Sequence, residues 1–107
     1  MSNLATKVVN GVKYDSDKLQ YSLLPPFALA EVVKCLTFGA KKYAPENWKK
    51  VNNAKKRYLD AAMRHIELLR QGEVYDKESG THHLACAMTN LAFYLEFDLN
   101  EELKGKE

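Results

Sequence analysis

Long apolar runs are missing from this chain. None approaches the roughly 18 residues of a membrane span, and the N-terminal residues carry no apolar segment of the signal-peptide kind. The expectation is a cytoplasmic protein with no membrane partner. Proline and glycine are scarce, three and five in 107 residues, which argues against a linker-like or collagen-like chain and leaves room for uninterrupted helices. Cysteine is scarcer still. Cys35 and Cys86 lie far apart, among apolar neighbours and in no metal-type spacing, so a reduced protein is simpler than a disulfide framework. An excess of one charge is also lacking. Sixteen Lys and Arg against fourteen Asp and Glu leave a formal charge of +2, too slight to argue for a nucleic-acid polymer as partner. No glycine-rich phosphate loop, nucleophile elbow or His-Glu-x-x-His pair occurs.

What is present is concentrated. All three histidines, His65, His82 and His83, fall within one stretch of 23 residues, 64–86, together with Glu67, Glu73, Asp76 and Glu78. The stretch reads as the end of one helix, a glycine-punctuated polar corner and the start of another helix. The rest of the chain, one domain over residues 1–107 by length, reads as scaffold for this corner.

Taken in order, Asn10-Gly11 between two β-branched runs predicts a β-hairpin over residues 6–14. Pro25-Pro26 suits a helix start and Gly39 a stop, giving a helix over about 26–38. Its apolar stripe is Leu29, Val32, Val33 and Leu36, and Glu31 projects from the opposite side with Phe27, Cys35 and Phe38. Glu31 is therefore either solvated beside Lys34 or a partly buried carboxylate facing a site or a partner. A second helix is expected over about 53–71, capped by Asn52 or Asn53 and stopped by Gly72, with Leu59, Ala62, Met63, Ile66 and Leu69 as its core face. A third is expected over about 81–99, with Leu84, Met88, Leu91 and Leu95 on one side and a charged, frayed tail beyond. A different side of that helix carries His83, Cys86, Ala87, Asn90 and Tyr94, polar where a core stripe should be apolar. The fold class is thus mainly α, a small helical bundle with an N-terminal β-hairpin. Apolar or mixed surfaces on several sides of three helices predict self-association, a homodimer or higher homo-oligomer.

Two stretches carry candidate chemistry. Residues 39–50 combine a lysine pair, Lys41 and Lys42, with Tyr43, Asn47 and Trp48. Such a loop can neutralise phosphates, stack on a base and read its edge, or be a solvated loop with Trp48 as a core anchor. The second is the mixed carboxylate and imidazole set of Glu31, His65, Asp76, Glu78 and His83. Oxygen ligands suit Mg²⁺ or Mn²⁺, and imidazole moves the preference toward Mn²⁺.

Ordered motifs over about three quarters of the chain carry a resemblance. They are Asp15-x-x-Lys18 before Leu23-Leu24-Pro25-Pro26, then Phe38-Gly39-Ala40-Lys41-Lys42-Tyr43, Asn47-Trp48 and Arg64-His65. Gly72-Glu73-x-x-Asp76-x-Glu78-Ser79-Gly80 and His83-Leu84-Ala85 complete the set. In these the chain resembles the phage dATP/dGTP diphosphohydrolase (MazZ-like) group, relatives of the all-α MazG-like nucleotide pyrophosphohydrolases. The resemblance implies a self-associating helical protein of the infected bacterial cell. It also implies a purine nucleotide site with a divalent metal, Mg²⁺ or Mn²⁺, and release of diphosphate from a (d)NTP.

Carried onto this sequence, Lys18, Lys41 and Lys42 would hold phosphates, with Tyr43 or Trp48 against the base and Asn47 reading it. Arg64, His83 and Asn90 complete the ligand-binding set. Glu31, Asp76 and His83 would hold the metal, with His65 and Glu78 as the catalytic residues. Two departures stand out. The MazG-like pattern has paired carboxylates three residues apart, whereas Glu31 is followed by Lys34, and Cys86 stands where the closer pattern has a histidine. These departures keep open a rival: a phage protein that sequesters a nucleotide-derived immune signal without cleaving it, blocking anti-phage defence with no metal at all.

Overall fold

The computed structural model describes residues 11–105. Three helices dominate: α1 (Pro26–Lys42), α2 (Ala54–Arg70) and α3 (His83–Gly105), with single 3-10 turns at Tyr21–Leu23 and Asn47–Lys50. The mainly α class holds. The N-terminal hairpin does not: no strand or sheet occurs among the described residues, residues 6–10 lie outside them, and the expected second arm is irregular. The physical reason is the absence of a surface to lie on. Val12 is 76% and Tyr14 89% exposed, and a two-stranded ribbon without a covered face is marginal in water.

Helix α1 opens on Pro26, where the missing N–H costs nothing. It runs through Gly39 rather than stopping there, and Tyr43 N–H closes it on Gly39 C=O at 3.0 Å. Lys41 and Lys42 in the last turn favour this extension by meeting the negative end of the helix dipole. Asn53 precedes α2 in a left-handed conformation (φ 53°, ψ 44°), which asparagine tolerates better than most residues, but its side chain makes no cap bond. Gly72 ends α2 with φ +104°, its N–H on Leu69 C=O at 2.9 Å and the Glu73 N–H on Leu68 C=O at 3.0 Å. Helix α3 starts at His83 and continues to Gly105 instead of fraying from residue 100. Lys55, at the start of α2, reaches Asp98 at 2.9 Å and Glu101 at 3.1 Å and ties that end down.

These pairs fix the arrangement. The first turn of α2 meets the far part of α3, and late α2 meets the start of α3 through His65 and His83. The two helices are therefore an antiparallel pair around the corner, and α1 also packs on α3. Their contact is made by small residues: Ala62, Ala85, Cys86, Ala87 and Thr89 are buried, with His83 and Thr81 among them. The stripe of α3 that looked too polar for a core is the inward one. The large aliphatic stripes expected to be core are only half covered, among them Val33, Met63, Met88 and Leu95.

An aromatic cluster pins the loop after α1. Trp48 stacks on Phe93 (4.8 Å between centroids, 12° between planes) and meets Phe97 edge-on at 5.7 Å. Tyr58 tilts against Phe93 at 5.0 Å and donates its hydroxyl to Trp48 C=O at 2.9 Å.

Candidate functional site

A cleft of about 810 Å³ opens between the three helices, lined from α1, the 43–51 loop, α2, the corner and α3. Its chemistry is set by the corner, residues 71–82. Asp76 N–H bonds Thr81 C=O, Gly80 N–H bonds Asp76 C=O and His83 N–H bonds Val74 C=O, each at 2.8 Å. Gly80 sits at φ +73°, a conformation that costs other residues more. This tight loop turns the Asp76 carboxylate toward the end of α2 and sets His83 as the first residue of α3.

Three side chains converge there. His65 Nδ1 and His83 Nδ1 are 2.8 Å apart, and with a carboxylate oxygen of Asp76 they form a group whose donor atoms lie within 4.8 Å of one another. His83 is fully buried. Its Nε2 meets Glu73 Oε2 at 2.6 Å, and that hydrogen bond holds the Glu73 carboxyl below its ordinary range. Burial pulls the His65 imidazole below its ordinary range, against the opposing pull of Asp76, which favours the neutral, ligating form. Burial works to raise the Asp76 carboxyl, but hydrogen bonds from Ser79 outweigh it and the net shift is downward. Ser79 donates through its N–H at 2.8 Å and its hydroxyl at 2.7 Å, both to Oδ2.

The donor set fits a divalent transition-type ion. Two nitrogens each about 2.0–2.1 Å from one ion and at right angles to each other are about 2.8–3.0 Å apart, the separation found between the two Nδ1 atoms. A buried histidine that gives its other nitrogen to a carboxylate is the usual environment of a metal-ligating imidazole. His65, Asp76 and His83 could hold such an ion.

The remaining candidates are distributed unevenly. Glu31 is outside this group: its carboxylate accepts the His82 N–H at 2.9 Å and pairs with Lys34 at 3.5 Å. The hydrogen bond from His82 N–H is the main reason its carboxyl lies below the ordinary range, and the interaction tethers α1 to the start of α3. Glu78 lines the cleft but is paired with Lys42 at 2.8 Å, and that bond raises the lysine pKa. Tyr43, Asn47, Arg64 and Asn90 line the cleft, whereas Lys18, Lys41 and the buried His83 do not. Tyr43 is 63% exposed, with Lys42 Nζ 5.0 Å from its ring centroid. Asn90 donates to Cys86 C=O at 2.8 Å.

Cys86 is buried, 3.0 Å from Thr81 Oγ1, and burial pushes its thiol up to about 11. At neutral pH it is a thiol, not a thiolate ligand. Reading the sequence missed Glu73 as the partner of His83. The corner offered several acids, and the backbone pairing of Val74 with His83, invisible in local spacing, is what brings the Glu73 side chain within reach of the His83 ring.

Trp48 touches the cleft, yet its ring face is taken by Phe93. Trp48→Ala is therefore expected to lower folding stability by about 2–3 kcal/mol, somewhat below the cost for a fully buried tryptophan. Nucleotide affinity should change less than stability. Denaturant unfolding beside nucleotide titration checks this, and lost affinity at unchanged stability would restore Trp48 as the base platform.

The family model described as dATP/dGTP diphosphohydrolase, N-terminal, matches residues 9–107. The chain belongs to this family. A dATP/dGTP diphosphohydrolase of Salmonella phage PMBT28 is 36% identical to it over 85 residues, 79% of this chain and 29% of the phage protein. The chain thus spans under a third of that relative's length. No solved structure matches it significantly. Among the described residues no helix is long and apolar enough to cross a membrane. The motifs at 64–65, 72–80 and 83–85 meet in space at one corner, the one that holds His65, Asp76 and His83.

Proposed function

We propose that the chain is a phage-type nucleotide-binding protein whose cleft releases diphosphate from a purine (d)NTP with the help of a divalent metal. The observation that carries this reading is the convergence of His65, Asp76 and the buried His83, the first two of which line a cleft shared with Arg64 and Lys42. These three side chains would hold the ion, with His65 in the place that the resemblance assigns to Glu31. When bound, the ion supplies Lewis-acid stabilisation of charge on the phosphates. Arg64 and Lys42 meet phosphate oxygens, and the exposed face of Tyr43 takes the base, with Asn47 and Asn90 available to read its edge. A phosphate that engages Lys42 frees Glu78 from its ion pair, and Glu78 then accepts the proton of the attacking water. Water adds to the α-phosphorus, the bond to the bridging oxygen breaks, and diphosphate leaves with that oxygen. The protein acts in the host cytoplasm as a homodimer or higher homo-oligomer.

One observation favours the rival, a binder that sequesters a nucleotide-derived signal. The neutral thiol of Cys86 faces Thr81, which leaves three metal donors where a histidine could add a fourth. Turnover is accordingly expected to be slow, and Cys86→His should raise it in Mn²⁺. The test is chromatography after incubation with dATP, dGTP and their ribonucleotide counterparts in Mg²⁺, Mn²⁺ or chelator. Metal-dependent diphosphate supports the enzyme. Nucleotide recovered intact, with affinity indifferent to chelator, overturns it in favour of the binder.

A further inference from the structure

We propose that Glu73 is a positioning residue that fixes the tautomer of His83, and that metal binding at this corner therefore requires a tautomer exchange at His65 alone. The proposal rests on the metal reading of the cleft. A carboxylate can only accept, so the 2.6 Å contact of Glu73 Oε2 with His83 Nε2 places the ring proton on Nε2. In the uncharged form the ring then presents a bare lone pair at Nδ1, on a side chain with no exposed surface.

The consequence passes to the neighbouring ring. His65 Nδ1 lies 2.8 Å from that lone pair, and two lone pairs at that separation would repel. With His83 uncharged in the metal-free protein, His65 carries its proton on Nδ1 and donates it to His83. A metal that takes both Nδ1 atoms needs His65 in the other form, with its proton on Nε2. His83 needs no change. Glu73 is itself held from behind by Lys77, whose Nζ is 3.4 Å from Oε1, so the other carboxylate oxygen stays directed at the imidazole.

The Ser79–Thr81 side of the corner does not take part in this. Ser79 Oγ is bound to Asp76 and to Thr81 Oγ1 at 2.7 Å, so the two histidines and Glu73 form their own chain of bonds.

Two measurements on the intact protein test the proposal. Long-range ¹H–¹⁵N spectra of the metal-free protein report which ring nitrogen carries the proton. His83 is expected protonated at Nε2 and His65 at Nδ1. Titration with MnCl₂ alone, followed by calorimetry, gives affinity without any turnover. Glu73→Ala is expected to weaken Mn²⁺ binding 10–100-fold, the usual effect of losing an outer carboxylate on a ligating histidine. Glu73→Gln, whose amide oxygen can still accept from Nε2, should lose less and keep the His83 tautomer. Glu67→Gln, at a surface pair with Arg70, should change nothing.

His83 protonated at Nδ1 in the wild-type protein overturns the proposal without any variant. So does Mn²⁺ affinity that is lost in His83→Ala yet unchanged in Glu73→Ala and Glu73→Gln, a result that leaves the metal reading standing. Wild-type protein that binds no Mn²⁺ removes the metal reading and the role of Glu73 together.

Discussion

The His83→Ala protein is expected to bind Mn²⁺ more than about 100-fold more weakly than wild type, beyond the 10–100-fold range of an outer-shell loss, and to give no diphosphate above background. Three consequences of one truncation add up here. The site loses a nitrogen donor, Glu73 loses the group it holds at 2.6 Å, and His65 loses its partner at 2.8 Å. Stability should fall as well, because a fully buried ring is lost from the helix contact and Glu73 loses its partner. His65→Ala separates the two effects. His65 is only half-buried and leaves Glu73 and His83 paired, so the same variant-to-wild-type loss of metal affinity should come with a smaller loss of stability. Calorimetry with MnCl₂ and thermal unfolding, run on both variants, read the two quantities apart. Metal affinity unchanged in both proteins would end the metal reading of the cleft.

The second large effect concerns assembly. The buried apolar residues of the described chain are Ala62, Ala85, Cys86 and Ala87, a core far too small to hold three helices by itself. Meanwhile Phe27, Val33, Met63, Met88, Leu91 and Leu95 keep between 41% and 91% of their surface exposed. A monomer seldom leaves so much apolar surface in contiguous helical stripes. A second copy of the chain, as proposed, would supply matching stripes, and folding and association would then be one equilibrium. Light scattering is expected to give at least twice the 12.2 kDa chain mass at micromolar concentration. A charge in the middle of the α3 stripe, Leu91→Lys or Met88→Lys, is expected to lose both the oligomer and most of the helical signal. A stable, fully helical monomer would contradict the proposed self-association and leave the stripes to some other partner.

The helices were legible because the punctuation at Pro26, Asn53 and Gly72 agrees with where α1 and α2 begin and where α2 ends. The corner was legible because ligand-type side chains cluster in sequence as they do in space. The hairpin was misread because Asn10-Gly11 states a local preference, and a turn preference without a covered face does not make a strand. Glu31 was read with both a solvated and a half-buried alternative, and it takes something of each: it pairs with Lys34 and accepts a backbone N–H from α3. That partner lies 51 residues away and leaves no trace in local spacing. The inward face of α3 was visible as an anomaly, a stripe of His83, Cys86 and Asn90. Its meaning was hidden, since hydrophobicity alone assigns the core to Leu84 and Met88, which the structure leaves half exposed.

The converging donors of the corner all come from positions 65 to 83, and this has a consequence for the entropy of building the site. Loop-closure cost grows with the logarithm of the chain enclosed, and here the enclosed chain is short and already bent by Gly72 and Gly80. Ordering His65 against His83 needs little more than α2, the corner and the first turn of α3. Lys42 and Tyr43, by contrast, reach the same cleft only when α1 docks across a much longer stretch of chain. The imidazole and carboxylate end of the cleft is thus its inexpensive half in chain entropy. Its lysine and tyrosine end is the half whose order depends on everything else being folded.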